Sequence, residues 1–404
     1  MPNVLISGAS IAGPTLAYWL VRRGFQVTVV ERAPALREGG HGVDFRGAQM
    51  ELLERMNLAD EVRRHQTGLG DQYVVDEHGR RLVTLPGWFA SGEVEIERGD
   101  LSRILYDSTR HDVEYVFGDW ITALHDTSDG VDVTFAHAAP RRYDLVVGAD
   151  GMYSGVRALA FGPISRFARF LGYYQAGYTM PNVLGLDRSG LIYNEPGRAV
   201  LVSSGRDRNR ASVGLVFASP LLRYDRHDTD ALKDLIRQRY SGARWKTPQL
   251  LDGMRTATDV FFSPLQQIRM PRWSTGRVVL LGDAAWAAGP GGSGTGLAMM
   301  GAYVLAGELG TCGGDYSAAF ARYESALRKA ATTGQRQAKG AGPFLAPPTA
   351  AKIRRRNWTY RALTSRPLSG LFARLAAGAA NAVTLPDYPT PPVTAWRAPA
   401  TPIS

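Results

Sequence analysis

The chain has 404 residues, of which 45% are hydrophobic and 21% charged, and its formal net charge is +10. These fractions are typical of a globular protein, and the length predicts a large core and two domains. The single cysteine, Cys312, excludes an internal disulfide and fits a reducing cytoplasm.

Other features narrow the class further. No uninterrupted apolar stretch reaches membrane-spanning length, and the first residues enter a strand-like run without a signal-peptide pattern, so we expect a cytoplasmic protein without a membrane partner. The sequence contains no nucleic-acid-binding motif that would explain the positive charge. We therefore attribute the charge to an arginine-rich surface rather than to electrostatic steering of anionic partners. The seven histidines lack metal-ligand spacing, so no metal site is predicted.

The first motif is a strand, a tight turn and a helix. An apolar run ends at Gly8, apolar residues recur with helical spacing after Gly13, and a second strand ends at Glu31. This is the context of a dinucleotide fingerprint, in which a helix N-terminus receives the pyrophosphate and an acidic residue receives the ribose. Ser10 takes the middle position that is usually glycine. This segment alone fits NAD as well as FAD, and it also occurs where only helix–sheet packing is at stake.

The next region predicts two hairpins and a second motif. Residues 71–94 form the first hairpin, with its turn at 77–79, and residues 127–130 turn the second. A buried strand then ends at Gly148 and is followed by Asp150 and Gly151. A carboxylate at a strand's carboxyl end is where open α/β sheets bind ligands. A helix N-cap is the alternative, and for Asp150 alone it is favoured.

From about residue 161 to 268 the pattern becomes alternating, as in the segments 191–194 and 211–217. Such alternation predicts strands of an antiparallel sheet. The aromatic residues on these strands are usually core, but three tyrosines are possible pocket residues: Tyr173, Tyr178 and Tyr193.

A third motif follows the sheet region. The strand 277–281 leads to Gly282 and Asp283, where a helix cap is again the alternative and is favoured for Asp283 taken alone. A glycine-dense stretch, 289–296, then precedes a helical run from Leu297 to Leu309. A backbone with so few side chains can lie flat against a planar ring. A long helix is predicted at about 315–338, and the remaining tail is helical in patches and then proline-rich.

With these three ordered motifs, the chain resembles a group A FAD-dependent aromatic hydroxylase, the flavoprotein monooxygenase family that includes p-hydroxybenzoate hydroxylase. The resemblance covers roughly the first 310 residues. It implies an α/β fold with a Rossmann-like FAD-binding domain on a parallel sheet, an inserted antiparallel-sheet (α+β) substrate domain, and C-terminal helices. The FAD-binding domain is expected at 1–70, 95–160 and 269–345, the substrate domain at 71–94 and 161–268, and the tail at 346–404.

The resemblance also implies residue roles. Gly8, Ser10 and Gly13 would line the pyrophosphate, Glu31 the ribose, and Asp283 the ribityl chain. Arg46 resembles the family's mobile flavin-loop arginine and is the one catalytic residue named. The full set of implied cofactor-binding residues is Gly8, Ser10, Ile11, Ala12, Gly13, Glu31, Arg32, Arg46, Arg98, Asp150, Gly151, Gly282, Asp283, Pro290, Gly292, Ser293, Gly294, Thr295 and Gly296.

The implied reaction uses FAD, with NAD(P)H as a transient co-substrate and O₂ as oxidant, to hydroxylate an aromatic or polyketide-like small molecule through a flavin C4a-hydroperoxide. The cofactor supplies that chemistry, which explains why no Ser-His-Asp machinery is needed. The sequence leaves NADH or NADPH, the substrate, and a monomer or homodimer open.

Two alternatives remain. One is a flavin-dependent reductase, oxidase or halogenase on the same fold, although the Trp-x-Trp-x-x-Pro motif of halogenases is absent. The other is a non-catalytic flavin-binding module, against which the Arg46 loop and the glycine-rich loop argue.

Overall fold

The computed structural model describes residues 1–37, 42–87, 92–291, 294–364 and 385–389. Two large sheets dominate the fold, and helices pack against both of them. Among the described residues, no helix combines the length and the apolarity needed to cross a bilayer.

The first sheet has six strands in the order β17-β18-β11-β1-β2-β7. All neighbours pair in parallel except β17 and β18. The middle strands are buried on both faces, as apolar runs in a parallel sheet require. Its strands are β1 Asn3–Ser7, β2 Gln26–Glu31, β7 Glu114–Phe117, β11 Leu145–Gly148, β17 Ser274–Thr275 and β18 Val278–Leu280.

Two smaller sheets flank it. Strand β3 (Gly42–Phe45) pairs antiparallel with β6 (Val94–Glu97). A meander contains β8 (Ile121–Asp126), β9 (Val131–Phe135) and β10 (Arg141–Tyr143), with the β8–β9 turn at the predicted position. The helices of this part are α1 Ala12–Val21, α2 Ala48–Arg55, α3 Ala59–Arg64, α4 Arg98–Asp107 and α5 Gly155–Phe161, followed by a 3₁₀ turn Ile164–Arg166.

The second large sheet has seven strands in the order β16-β12-β15-β14-β13-β4-β5. The predicted antiparallel sheet is therefore a mixed one, because β13 pairs in parallel with β4, which comes from the hairpin at 71–94. Helices α6 (Thr229–Arg239) and α7 (Thr247–Gly253) cover one of its faces. The strands are β4 Gln72–Val75, β5 Arg81–Leu85, β12 Ala168–Pro181, β13 Ser189–Glu195, β14 Arg198–Ser204, β15 Arg210–Ala218 and β16 Phe261–Ile268.

The C-terminal helices join the two parts. They are α8 Asp283–Trp286, α9 Gly294–Thr311, α10 Tyr316–Ala338, α11 Ala341–Leu345 and α12 Ala350–Leu363. Helix α9 packs on α1, where the rings of Tyr303 and Trp19 meet edge to face at 4.9 Å. Helix α12 covers the β4–β5 hairpin through Tyr360, so this stretch of the tail packs on the core.

Candidate functional site

The turn between β1 and α1 is closed too tightly for side chains. Gly8 has a φ of +111°, and a Cβ there would lie 2.6 Å from the carbonyl oxygen of Ala149. A Cβ at Gly13 would overlap the Gly8 carbonyl oxygen. Glycine is therefore required at both positions. Helix α1 begins without a side-chain cap and without an acidic residue in its first turn, so its first N–H groups remain available to an anion.

Glu31 is fixed at the end of β2 by two backbone amides. Its Oε2 accepts from the Ala9 N–H at 2.9 Å, and its Oε1 accepts from the Ala33 N–H at 2.9 Å. The carboxylate thus braces the β1–α1 turn against the chain that leaves β2. Arg32 follows it, with its guanidinium carbon 5.2 Å from the ring centre of Trp120.

Ser10, Arg98 and Asp283 converge from three distant parts of the chain. Arg98 Nη2 donates to the Ser10 hydroxyl at 3.1 Å, and the Ser102 hydroxyl donates to the Ser10 carbonyl at 2.8 Å. The positive charge of Arg98 also acts on Asp283, as described next. Helix α4 therefore holds the β1–α1 turn beside the end of β18.

Asp283 is exposed to solvent, yet protein atoms surround it closely. This combination indicates a concave surface, which we call the Asp283 cleft. Desolvation raises the pKa of this carboxyl, and the charge of Arg98 only partly offsets it. The N-cap residue of α8 is Gly282, so the cap reading of Asp283 is wrong. A Cβ added to Gly294 would lie 3.7 Å from Asp283 Oδ1, which places the start of α9 at the same cleft.

Asp150 has a different environment. Its Oδ2 accepts from the Gly155 N–H at 2.8 Å and the Val156 N–H at 3.1 Å, so it does cap α5, together with the N-cap residue Ser154. Its Oδ1 is buried and has no hydrogen-bond partner within the described structure. Desolvation raises the pKa of the Asp150 carboxyl, against the hydrogen bonds that lower it.

Arg157 connects the loop that contains Asp150 to the segment that contains Asp283. Arg157 is 1% exposed, and it donates to the Met152 carbonyl at 2.6 Å and to the Ala284 carbonyl at 2.9 Å. The loop after β11 is thereby fastened to the helix that begins at Asp283. No local sequence pattern reveals this tie, because its partners are more than a hundred residues apart.

The Arg46 loop meets the glycine-rich loop. The Arg46 guanidinium pairs with Asp44 at 3.2 Å, and its backbone N–H donates to Gln49 Oε1 at 3.4 Å. The Gln49 side chain fills the space where a Cβ of Gly296 would stand, so α9 can approach α2 only with glycine there. Pro290 precedes this junction and Thr295 lies within the first turn of α9, whereas Gly292 and Ser293 lie outside the described residues.

A cavity of about 1070 Å³ lies between the seven-stranded sheet and β6. Gln175, Leu201 and Ser212 line it from the sheet, and Glu95 and Glu97 line it from β6. None of its described lining residues is a phenylalanine, tyrosine or tryptophan. The cavity is therefore more polar than the tyrosine-rich pocket expected from the sequence.

The three proposed pocket tyrosines divide between the two faces of the sheet. Tyr178 and Tyr193 belong to the cluster under α6 and α7, and the Tyr178 hydroxyl donates to the Leu250 carbonyl at 2.7 Å. The structure does not bring either to the cavity. Tyr173 is on the opposite face but packs against Gly342 in α11, and burial raises the pKa of its hydroxyl.

The sequence analysis missed Glu95 and Glu97, although a signal was present. Residues 94–97 alternate as Val-Glu-Ile-Glu, which places both carboxyls on one face of a strand and both apolar side chains on the other. The apolar face enters the core at Val94 and Ile96.

Comparisons with known proteins extend over both large sheets. The sequence profile of the FAD binding domain family matches residues 1–332. An uncharacterized protein of Mycobacterium tuberculosis (strain ATCC 25618 / H37Rv) is 42% identical over 332 residues, which cover 80% of this chain and 89% of that protein. A flavin-dependent monooxygenase of Legionella longbeachae is 34% identical over 331 residues, which cover 81% and 85%.

A solved structure is similar over nearly the whole chain. The crystal structure of tetracycline destructase Tet(51) superposes with a TM-score of 0.84 at 29% identity, covering 96% of this chain and 100% of that one. The matched lengths include the three segments that converge near Asp283 and the sheet that walls the cavity.

Proposed function

The chain belongs to the FAD-binding flavoprotein monooxygenase family, and on that premise we propose that it hydroxylates an aromatic or polyketide-like small molecule with NAD(P)H and O₂. The observation that carries this proposal is the convergence of Ser10, Arg98 and Asp283 at one cleft. A purely structural contact between such distant segments would not need a carboxylate that solvent reaches and whose pKa is raised, whereas a ligand-binding site would use one.

The residues at the cleft suit FAD chemically. The uncapped start of α1 offers N–H groups to the pyrophosphate, and the bare Gly8–Gly13 turn lets the backbone approach it. Glu31 stands at the end of the adjacent strand for the ribose, with Arg32 near the adenine. Asp283 would accept from the ribityl hydroxyls, with its charge moderated by Arg98. The further backbone contacts come from Ile11, Ala12, Gly151, Gly282, Pro290, Thr295 and Gly296.

FAD, when bound, supplies the redox chemistry by taking a hydride from NAD(P)H and activating O₂. The protein positions the reactants, excludes water from them and supplies charged side chains. The Arg46 loop and the glycine turn before α9 abut through Gln49, so they enclose the flavin end of the cleft. Arg46, which pairs with Asp44 at 3.2 Å, would add positive charge on this side of the site.

We keep the domain division expected from the sequence as a proposal, and the composition of the two sheets supports it. The six-stranded sheet is built from strands within 1–70, 95–160 and 269–345, and the seven-stranded sheet is built from strands within 71–94 and 161–268. We assign the first to FAD and the second to the substrate. The tail at 346–404 contributes α12, which supports the substrate sheet from its edge.

A polyketide-sized substrate is supported by the cavity. Its volume of about 1070 Å³ lies at the upper end of ordinary ligand pockets and exceeds the needs of a single ring. Tet(51), the similar solved structure, is by name a tetracycline destructase. A multi-ring oxygenated compound is accordingly the first class to test.

The test is a screen of the purified, FAD-loaded protein for NADPH and NADH oxidation stimulated by single-ring phenols and by multi-ring polyketides. We expect stimulation by at least one compound, with an oxygen atom from labelled O₂ in the product. Oxidation that yields only hydrogen peroxide with every compound would instead identify a reductase or oxidase. Consumption of neither nucleotide under any condition would leave a non-catalytic flavin-binding module.

A further inference from the structure

The cavity carries the opposite charge to the chain as a whole. Among its described lining residues, five are carboxylic acids and three are arginines, whereas the chain's net charge is +10. The acids are Glu95, Glu97, Asp100, Asp207 and Asp259, and the arginines are Arg103, Arg206 and Arg210. A cleft with one dominant sign of charge raises the local concentration of oppositely charged ligands.

The arginines do not neutralise all the acids equally. Arg206 Nη2 pairs with Asp100 at 3.3 Å, at the first turn of α4. Desolvation raises the pKa of the Glu97 carboxyl most, and the charges of Asp100 and Asp207 raise it further, whereas the charges of Arg210 and Arg206 lower it. Glu97 therefore has positive as well as negative neighbours.

Glu95 has no such neighbours among the described residues. The Thr67 hydroxyl donates to its Oε1 at 3.1 Å, and the side chain lies flat against Gly42. Desolvation raises the pKa of the Glu95 carboxyl most, the Thr67 hydrogen bond lowers it, and the charges of Asp44 and Glu97 raise it further. Its charged neighbours are thus both negative, and Asp44 is already paired with Arg46.

The facing wall is built for neutral polar groups. Gln175, Ser203 and Ser212 line the cavity from adjacent strands of the sheet. Amide and hydroxyl side chains can bind hydroxyl and carbonyl groups without selecting a charge. The sheet wall carries these neutral groups besides Arg210, and Glu95 and Glu97 are the charged groups that β6 contributes to the cavity.

Resting on the proposed function, we propose that Glu95 determines substrate specificity by binding a protonated amine on a multiply oxygenated substrate. An ammonium placed against Glu95 compensates the carboxylate, which no cation of the described residues does, and it weakens the repulsion from Asp44 and Glu97. An anionic substrate such as a benzoate meets the same three charges as repulsion.

Equilibrium dialysis tests this with the FAD-loaded protein and two phenols of similar shape, tyramine and 4-ethylphenol. At about pH 8 the amine of tyramine stays protonated. Neither turnover nor product is needed, so the outcome is separate from that of the oxidation screen. We expect the wild type to bind tyramine more tightly than 4-ethylphenol.

Glu95→Gln keeps the shape of the side chain and an oxygen for Thr67. It is expected to weaken tyramine binding by at least about tenfold, equivalent to about 1.4 kcal/mol, and to leave 4-ethylphenol binding and FAD content unchanged. Glu97→Gln is the matched control on the same face of β6, and its effect is expected to be smaller because Arg206 and Arg210 act on Glu97, whereas no cation of the described residues acts on Glu95.

Three results overturn the assignment. The first is a wild type that binds tyramine no more tightly than 4-ethylphenol, including one that binds neither. The second is an unchanged tyramine affinity in Glu95→Gln. The third is an equal loss for both phenols, which would make Glu95 a structural residue.

Discussion

Replacing Asp283 with alanine tests whether this residue is a cofactor ligand or a structural residue. The two roles predict opposite changes in the stability of the protein without FAD. The described residues give its carboxylate no hydrogen bond, and the protein atoms around it raise its pKa although solvent reaches it, so the ionised group adds no stability to the protein without FAD. Its removal should therefore leave that form equally stable or more stable. Binding of FAD should weaken, because charge-assisted hydrogen bonds worth about 1.5–3 kcal/mol are lost, which corresponds to about 10- to 150-fold in Kd.

The dependence on pH has a defined sign. A carboxyl whose folded-state pKa is raised contributes stability below its unfolded-state pKa and loses that contribution as pH rises through the folded-state pKa. The stability advantage of Asp283→Ala without FAD should therefore widen from acid to neutral pH. Thermal unfolding of the stripped proteins at several pH values measures this, and FAD titration by fluorescence quenching measures the affinity.

Asp252→Ala is the matched control, since Asp252 is an exposed aspartate on α7 for which both measurements should stay at the wild-type value. The reasoning about Asp283 fails if Asp283→Ala binds FAD as tightly as the wild type. It fails equally if the stripped variant unfolds well below the stripped wild type.

Three further substitutions test other parts of the site. Gly13→Ala should yield unstable or insoluble protein, because its Cβ overlaps the Gly8 carbonyl and one segment must shift; a normal unfolding curve with full FAD content would contradict this. Glu31→Ala should weaken FAD binding and leave the hydroxylation position unchanged, so a new product isomer would refute its assignment to the ribose. Arg157→Met should lower the free energy of unfolding by about 1–3 kcal/mol, since it leaves the Ala284 carbonyl without its buried donor; denaturant titration that finds a loss below about 0.5 kcal/mol, the level of a surface substitution, would show that the Arg157 hydrogen bonds contribute little.

The local patterns of the sequence were sufficient for the first sheet and its motifs. The turn at Gly8, the end of β2 at Glu31, and the long helix Tyr316–Ala338 all follow from apolar periodicity and glycine placement. These features are encoded within about twenty residues, so a single chain reveals them. The same holds for the β4–β5 hairpin, whose turn encloses the predicted residues.

The parts that escaped prediction depend on long-range contacts. Which face of β12 and β13 meets the cavity is set by where α6 and α7 pack, so Tyr178 and Tyr193 could not be placed from alternation alone. The parallel pairing of β4 with β13 joins segments more than a hundred residues apart. Glu95 could have been placed on an exposed strand face, but not opposite Gln175.

The central claim is that segments around Ser10, Asp150 and Asp283 form one flavin site. Titration of the stripped protein with FAD tests it most directly. The account predicts saturable binding of one FAD per chain, with a yellow complex that survives gel filtration. A protein that stays colourless and quenches no flavin fluorescence at any FAD concentration would contradict it.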